Sequence, residues 1–152
     1  MADVEAIASG IAALLRDVYA ADEGHVSATF QEAPQPPTLQ VVGVERMVPL
    51  DFGGGADWTF LVEAYMGLIT EKKAHKRLYQ LLSDDAVWDA IESDNARAGA
   101  LFSRLSDSGT VTTDPDEPAA DSVAVIEYRG ASRVERGAVQ ALTGTWAVRV
   151  IA

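Results

Sequence analysis

Apolar residues recur at three- and four-residue steps through the start of the chain: Val4, Ile7, Ile11, Leu14, Leu15 and Val18. That spacing predicts an amphipathic helix over residues 3–20. Asp3 and Glu5 lie in its first turn, where the helix dipole favours acids, and Asp22-Glu23-Gly24 ends it. Loose alternation from His25 to Gln31, with Val26, Thr29 and Phe30, predicts a strand. Ala33-Pro34-Gln35-Pro36-Pro37 cannot pair inside a sheet, because each proline lacks a donor, and reads as a stiff connector. A second strand is expected from Leu39 to Val44, reaching towards Val48. Pro49 to Asp57 reads as a loop holding the run Gly53-Gly54-Gly55.

The clearest alternation covers residues 58–68. Trp58, Phe60, Val62, Ala64, Met66 and Leu68 share one face, and Thr59, Leu61, Glu63 and Tyr65 share the other. One apolar and one mixed face suit a sheet covered by helices on one side. A helix from Glu71 to Ser83 offers Ala74, Leu78, Leu81 and Leu82 as that cover, and Asp84 or Asp85 is placed to cap a short helix containing Val87, Trp88 and Ile91. Asn95 to Leu105 fits either a helix or an irregular turn. Gly109 to Thr113 is a short strand candidate, and Asp114-Pro115-Asp116-Glu117-Pro118 is a loop. Ser122 to Arg129 and Val139 to Ile151 read as strands joined by a charged connection around Arg133 to Gly137. Trp146, Val148 and Val150 share one face of the last strand.

The 152 residues suit a single domain, 1–152, large enough to bury a core, and 48% hydrophobic residues argue against global disorder. No apolar run is long enough to span a bilayer, so no membrane partner is expected. The first helix lacks a basic n-region and is not expected to act as a secretory signal. Cysteine is absent, which excludes disulfides, thiolate metal clusters and thiol nucleophiles. Twelve basic residues against 23 acidic ones give a net charge of -11, so bare nucleic acid and anionic membrane surfaces should repel the protein.

Candidate chemistry is sparse. Gly53-Gly54-Gly55 lacks the Gly-Lys-Ser/Thr ending of a phosphate loop and precedes a strand, not a helix. His25 and His75 are far apart and make no metal signature. Asp114, Asp116 and Glu117 could ligate a hard cation, but the EF-hand spacing is missing and a solvated acidic loop is the working reading. No serine sits in a Gly-x-Ser-x-Gly elbow. No local cofactor, metal or catalytic signature stands out, while a dispersed Ser-His-Asp triad or a pair of carboxylates stays open on the sequence. Lys72, Lys73, Lys76 and Arg77 form a basic stretch opposite Leu78 and Leu81; this is a solvated helix face, a nucleic-acid contact, or a surface for an acidic neighbouring subunit. Trp58, Phe60, Trp88 and Trp146 belong to apolar faces, whereas Phe52, in the glycine-rich loop beside Asp51, suits a partner anchor.

The chain resembles the tail terminator proteins (minor tail or tail completion proteins) of long-tailed bacteriophages. The resemblance rests on the N-terminal helix, the Pro36-Pro37 lead into a strand, and Phe52-Gly53-Gly54-Gly55-Ala56-Asp57-Trp58-Thr59-Phe60. The strand ending at Gly67, the helix after it and the closing Thr145-Trp146-Ala147-Val148-Arg149-Val150-Ile151 add to it. Residues 95–120 and Arg133 to Arg136 fit that family less well.

The resemblance implies an α/β protein of the α+β kind: a mixed, mainly antiparallel β-sheet with an N-terminal helix and one or two further helices packed on it. It implies a homo-oligomeric ring, expected to be hexameric, on the end of the tail tube. The ring stops tube growth and presents a surface to the head-side connector or stopper protein, and DNA passes its lumen without specific binding. The expected location is the head–tail junction of the virion, after synthesis in the host cytoplasm. Asp51, Phe52, Gly53, Gly54, Gly55 and Asp57 would form the tube- or partner-contact loop. Asp114, Asp116 and Glu117 would line the lumen, and Lys72, Lys73, Lys76 and Arg77 would face a neighbouring subunit. No catalysis is expected. The competing readings are a head-completion or stopper connector, an acidic protein-binding module of the DNA-mimic kind, and a small hydrolase.

Overall fold

The computed structural model describes residues 4–18, 25–32, 34–50, 55–95, 122–136 and 138–151. The elements run α1 (Val4–Val18), β1 (His25–Ser27), β2 (Thr38–Pro49), β3 (Ala56–Leu68), α2 (Lys72–Ser83), α3 (Ala86–Asn95), β4 (Ser122–Arg136) and β5 (Val139–Ile151). The fold is mixed α+β, with a five-stranded sheet in the order β1-β2-β3-β5-β4. Short β1 pairs parallel to β2, and every other pairing is antiparallel. The strand candidate Gly109–Thr113, the segment after Asn95 and the loop Asp114–Pro118 lie outside the described residues.

The core forms where the helical stripes meet the apolar strand face. Register places Phe60 beside Val44 and Val148, Val62 beside Val41 and Trp146, and Ala64 beside Leu39 and Gly144. Ile7, Ile11, Leu14 and Leu15 from α1, Ala74, Leu78 and Leu81 from α2, and Val87 and Ile91 from α3 close over that face, all buried. Gly144 permits the approach of α2, since a Cβ there would stand 2.9 Å from Leu78 Cδ1 and 3.3 Å from the Tyr128 ring. At the end of α2 the Asp84 N–H donates to the Gln80 carbonyl and the Asp85 N–H to the Leu82 carbonyl, and the Asp85 carbonyl accepts from Asp89 N–H to open α3.

Two expectations are corrected. The strand foreseen from His25 to Gln31 stops at Ser27, because local bonds compete with the ladder. The Ser27 hydroxyl bonds Thr29 (2.7 Å to its carbonyl, 3.2 Å from its N–H), and the Gln40 side chain takes both backbone groups of Gln31. The charged connection foreseen around Arg133 to Gly137 is strand as far as Arg136, paired in register to Arg136–Val139. Its charges are tied across the sheet: Arg136 to Glu63, and Arg133 to the Gln140 side chain. Strand β2 is also longer than foreseen, running from Thr38 to Pro49.

The second face of the sheet is concave and closed over itself. Register shifts interrupt the ladders in β2, β3 and β4, three of them at Gly43, Gly67 and Gly130. Each bulge adds local twist and bends its strand. At Gly130, φ is 101°, a conformation a side chain adopts only with strain, although there is open space around it. The outcome is measurable. Arg129 of β4 contacts Glu45 of β2, although β3 and β5 lie between these strands. A flat sheet would separate them by about 14 Å, at ~4.8 Å per strand.

Candidate assembly surface

Three surfaces carry the charged and exposed apolar groups. The first is the concave face. All five buried polar or charged residues among those described, Thr38, Gln40, Thr59, Glu63 and Thr143, lie on it. Glu63 is the centre. Its Oε2 accepts from Arg136 Nη2 at 2.8 Å and its Oε1 from Gln40 Nε2 at 3.1 Å. Arg136 also stands over the Phe30 ring, 4.6 Å from its centroid, so the guanidinium is held by a carboxylate and an aromatic face together. Side-chain exposure is 14% for Arg136 and 8% for Glu63, which makes this a buried ion pair. It is a structural clasp between the edge strand and the centre of the sheet.

At the other end of the same face, Arg149 grips Asp57 bidentately, with Nε 3.0 Å from both oxygens and Nη2 2.7 Å from Oδ2. Asp57, expected in the contact loop, is instead the second residue of β3. These hydrogen bonds from Arg149 outweigh a small opposing cost of burial and hold the Asp57 carboxyl below the usual carboxylate range. A carboxyl with a depressed folded-state pKa stabilises the fold above its unfolded value of about 3.9, and that contribution fades as pH falls through the folded value. An Arg149→Met variant should therefore move the Asp57 titration upwards and start the acid limb of unfolding at higher pH. A carboxyl-resolved NMR titration checks the first and acid denaturation the second. An unchanged Asp57 titration would break the assignment.

The second surface is the outer half of β2. Strand β1 pairs only with Thr38, Leu39 and Gln40, so among the described residues nothing pairs with the outer edge of β2 from Val41 to Pro49. Val44, Met47, Val48 and Leu50 are 38–48% exposed. Register sets Met47 opposite Trp58 on the helix-side face and Val48 opposite Asp57 on the concave face. Apolar side chains thus leave both faces at this edge. Exposed Glu45, Arg46 and Pro49 are interleaved with them on the same strand. Trp58 at the base of this edge packs against the core, and its indole N–H is buried with no partner among the described residues. The turn is anchored by Leu50 N–H on the Gly55 carbonyl at 2.9 Å. Asp51, Phe52, Gly53 and Gly54 lie outside the described residues.

The third surface is the outer face of α2. Lys72, Lys73 and Lys76 are exposed there. Arg77, grouped with them on sequence, is half-buried and donates to the Met66 carbonyl at 3.1 Å, beside the β3 register shift, where a backbone acceptor falls out of the ladder. His75 bonds the Ile69 carbonyl at 2.8 Å. Sequence reasoning assigned neither role, because neither acceptor is visible without the bulge and the turn. Tyr79, on the same helix, is 63% exposed.

Asp114, Asp116 and Glu117 lie outside the described residues. Among those described, no group of three or more His, Asp or Glu is placed to hold a metal ion, and no helix is long and apolar enough to cross a membrane. An open polar depression of about 480 Å³ lies between the end of α1 and β1, bordered by Arg16, His25, Ser27 and Thr38. Its Ser27 hydroxyl donates to the Thr29 carbonyl at 2.7 Å.

No protein-family model matches the sequence, and no curated protein matches it. Among solved structures, a chain of the virion of a native gene transfer agent (GTA) particle is a weak neighbour. It has 14% sequence identity and a TM-score of 0.48, over 98% of this chain and 95% of that chain.

Proposed function

We propose that the protein is a virion assembly protein of the tail-terminator kind. It forms a ring on the end of a tail tube, stops tube polymerisation and offers its other side to the head-side connector. It works as a structural part, without catalysis or cofactor. The observation that carries this reading is the outer edge of β2, unpaired among the described residues, with Val44, Met47, Val48 and Leu50 exposed on it. Such an edge is built to be covered by another chain, through backbone pairing and apolar contact at once.

Two further features support the reading. Of the segments that carry the tail-terminator resemblance, Pro36-Pro37 leads into β2, Trp58 to Gly67 lies within β3, α2 follows, and Thr145 to Ile151 ends β5, while Phe52 to Gly54 lie outside the described residues. The sheet also has two unlike edges, short β1 with the outer half of β2 on one side and β4 on the other. A contact between unlike surfaces is heterologous, and it closes into a ring when its rotation divides the circle.

The test is negative-stain electron microscopy of the purified protein, alone and mixed with tail tubes from its own source. Rings, or a cap at one end of each tube, are expected, and tubes assembled without the protein should run to uncontrolled length. Finished tails that fail to join heads in its absence would move the role to the stopper connector. A protein that stays monomeric and leaves tube ends bare would overturn the assembly reading.

A further inference from the structure

The charges on α2 are placed against its own dipole. The positive N-terminal end carries Lys72 and Lys73 in the first turn and Lys76 in the next, with no acid in the first turn. Glu71 at the N-cap makes no side-chain capping bond. The negative C-terminal end has no basic residue in its last turn, and is followed by Asp84, Asp85 and, on the first turn of α3, Asp89. All six of these lysines and aspartates are exposed. A helix arranged for its own stability has acids first and bases last. Here the side-chain charges add to the dipole and make the element strongly polar along its length.

These charges do not neutralise one another. Lys73 and Asp84 are eleven residues apart, about 16 Å along a helix. That is beyond the screening length of roughly 8 Å at physiological ionic strength. Among the described residues, none of the three lysines has an ion-pair partner, and the ion pairs present are all made by arginines. Arg77 is spent on the Met66 carbonyl and does not belong to the row.

We infer that α2 is a subunit contact in which the Lys72/Lys73/Lys76 end meets the Asp84/Asp85/Asp89 end of a second copy of this chain. The two halves are complementary to each other and not to themselves. A twofold pairing of like ends is therefore repelled, while a head-to-tail contact is attracted. An antiparallel twofold pair satisfies the same charges; the head-to-tail arrangement is the one that closes into a ring, and a closed dimer in sedimentation would overturn it. The inference rests on the ring reading above and adds to it which surfaces meet. Exposed pairs are individually weak, so the contact sets direction and encounter more than it supplies affinity, with the apolar β2 edge free to carry the latter.

The experiment is a charge swap read by sedimentation and by capping of tail tubes. Lys72→Glu/Lys73→Glu/Lys76→Glu should weaken assembly at least tenfold, and so should Asp84→Lys/Asp89→Lys. Asp85 is left unchanged because its φ is 50°. The chain carrying all five changes should recover to within a few-fold of wild type, since its reversed ends again match. Wild-type assembly should weaken with added salt, and more steeply than that of either half-swapped variant. Neutral versions (Lys→Gln and Asp→Asn at the same positions) guard against misfolding and should fall between. Wild-type affinity in both half-swapped variants, or no recovery in the combined chain, would overturn the contact while leaving the ring intact. A wild-type protein that neither oligomerises nor caps tubes would overturn the contact and the ring together.

Discussion

An Arg136→Leu variant should lose about 3–5 kcal/mol of unfolding free energy, the range for removing one partner of a buried ion pair. The loss comes from Glu63, which stays behind. Its carboxylate is buried, and its remaining hydrogen-bond partner is the neutral Gln40 amide at 3.1 Å. For a chain of this length the corresponding drop in Tm is on the order of 10 °C. The same substitution removes the contact with the Phe30 ring. A double variant, Arg136→Leu with Glu63→Leu, should recover most of the loss. Exchanging a whole buried pair for apolar groups of similar volume is often neutral, because both desolvation costs vanish with the charges. Urea unfolding of the two single variants and the double variant closes the cycle. A loss below about 1 kcal/mol for the single change would place Glu63 in water, as for an exposed pair, and would remove the clasp from the account of the fold.

The parts of this fold that could be read from the chain are those where one periodicity governs a whole element. Ile7, Ile11, Leu14 and Leu15 are all buried on α1, and Phe60, Val62, Ala64 and Met66 on β3, as their spacing predicts. Ala74, Leu78 and Leu81 cover the sheet from α2, and Trp146, Val148 and Val150 share the buried face of β5. What could not be read is curvature. The alternation of β3 shows its second face, Thr59, Leu61, Glu63 and Tyr65, only as mixed. Bulges in three strands fold that face inward, so Gln40, Glu63 and Thr143 are buried. A bulge moves the register by one residue, and nothing in hydrophobic alternation announces it. The same blindness made Arg133 to Arg136 look like a loop: the partners of these charges, Glu63 and Gln140, come from other strands.

The candidate site was legible in its composition and not in its geometry. Lys72, Lys73 and Lys76 stand out in a chain with 12 basic residues, and they are exposed in the fold. Arg77 belongs to the same run but serves the backbone of β3, a role set by the bulge at Met66. Val44, Met47 and Val48 read as ordinary strand residues. Their exposure follows from the shortness of β1, which stops pairing at Gln40 and leaves the rest of β2 as an edge. The sequence signals that shorten β1 are small and local: Ser27 and Thr29 bond each other, and the prolines at 34, 36 and 37 withhold donors.

That edge carries the other large expectation. A Met47→Asp/Val48→Asp variant should fold as the wild type does and fail to assemble. Met47 is 48% and Val48 38% exposed, so each already spends much of its surface in water. Surface changes of this kind shift stability by roughly 0.5 kcal/mol or less apiece. In an interface the same two positions count differently. Register places them on opposite faces of one edge strand, so a covering chain must desolvate both, and a carboxylate on either side would be buried without a partner. If each position behaves as a central interface residue, at about 2 kcal/mol, the pair lowers affinity by roughly a thousandfold. Tube capping scored by electron microscopy, beside a thermal melt of the same sample, separates the two effects. Bare tube ends with an unchanged melt are the expected result. Normal capping would show that the exposed apolar residues of β2 face no partner, and the assembly reading would lose the observation on which it stands.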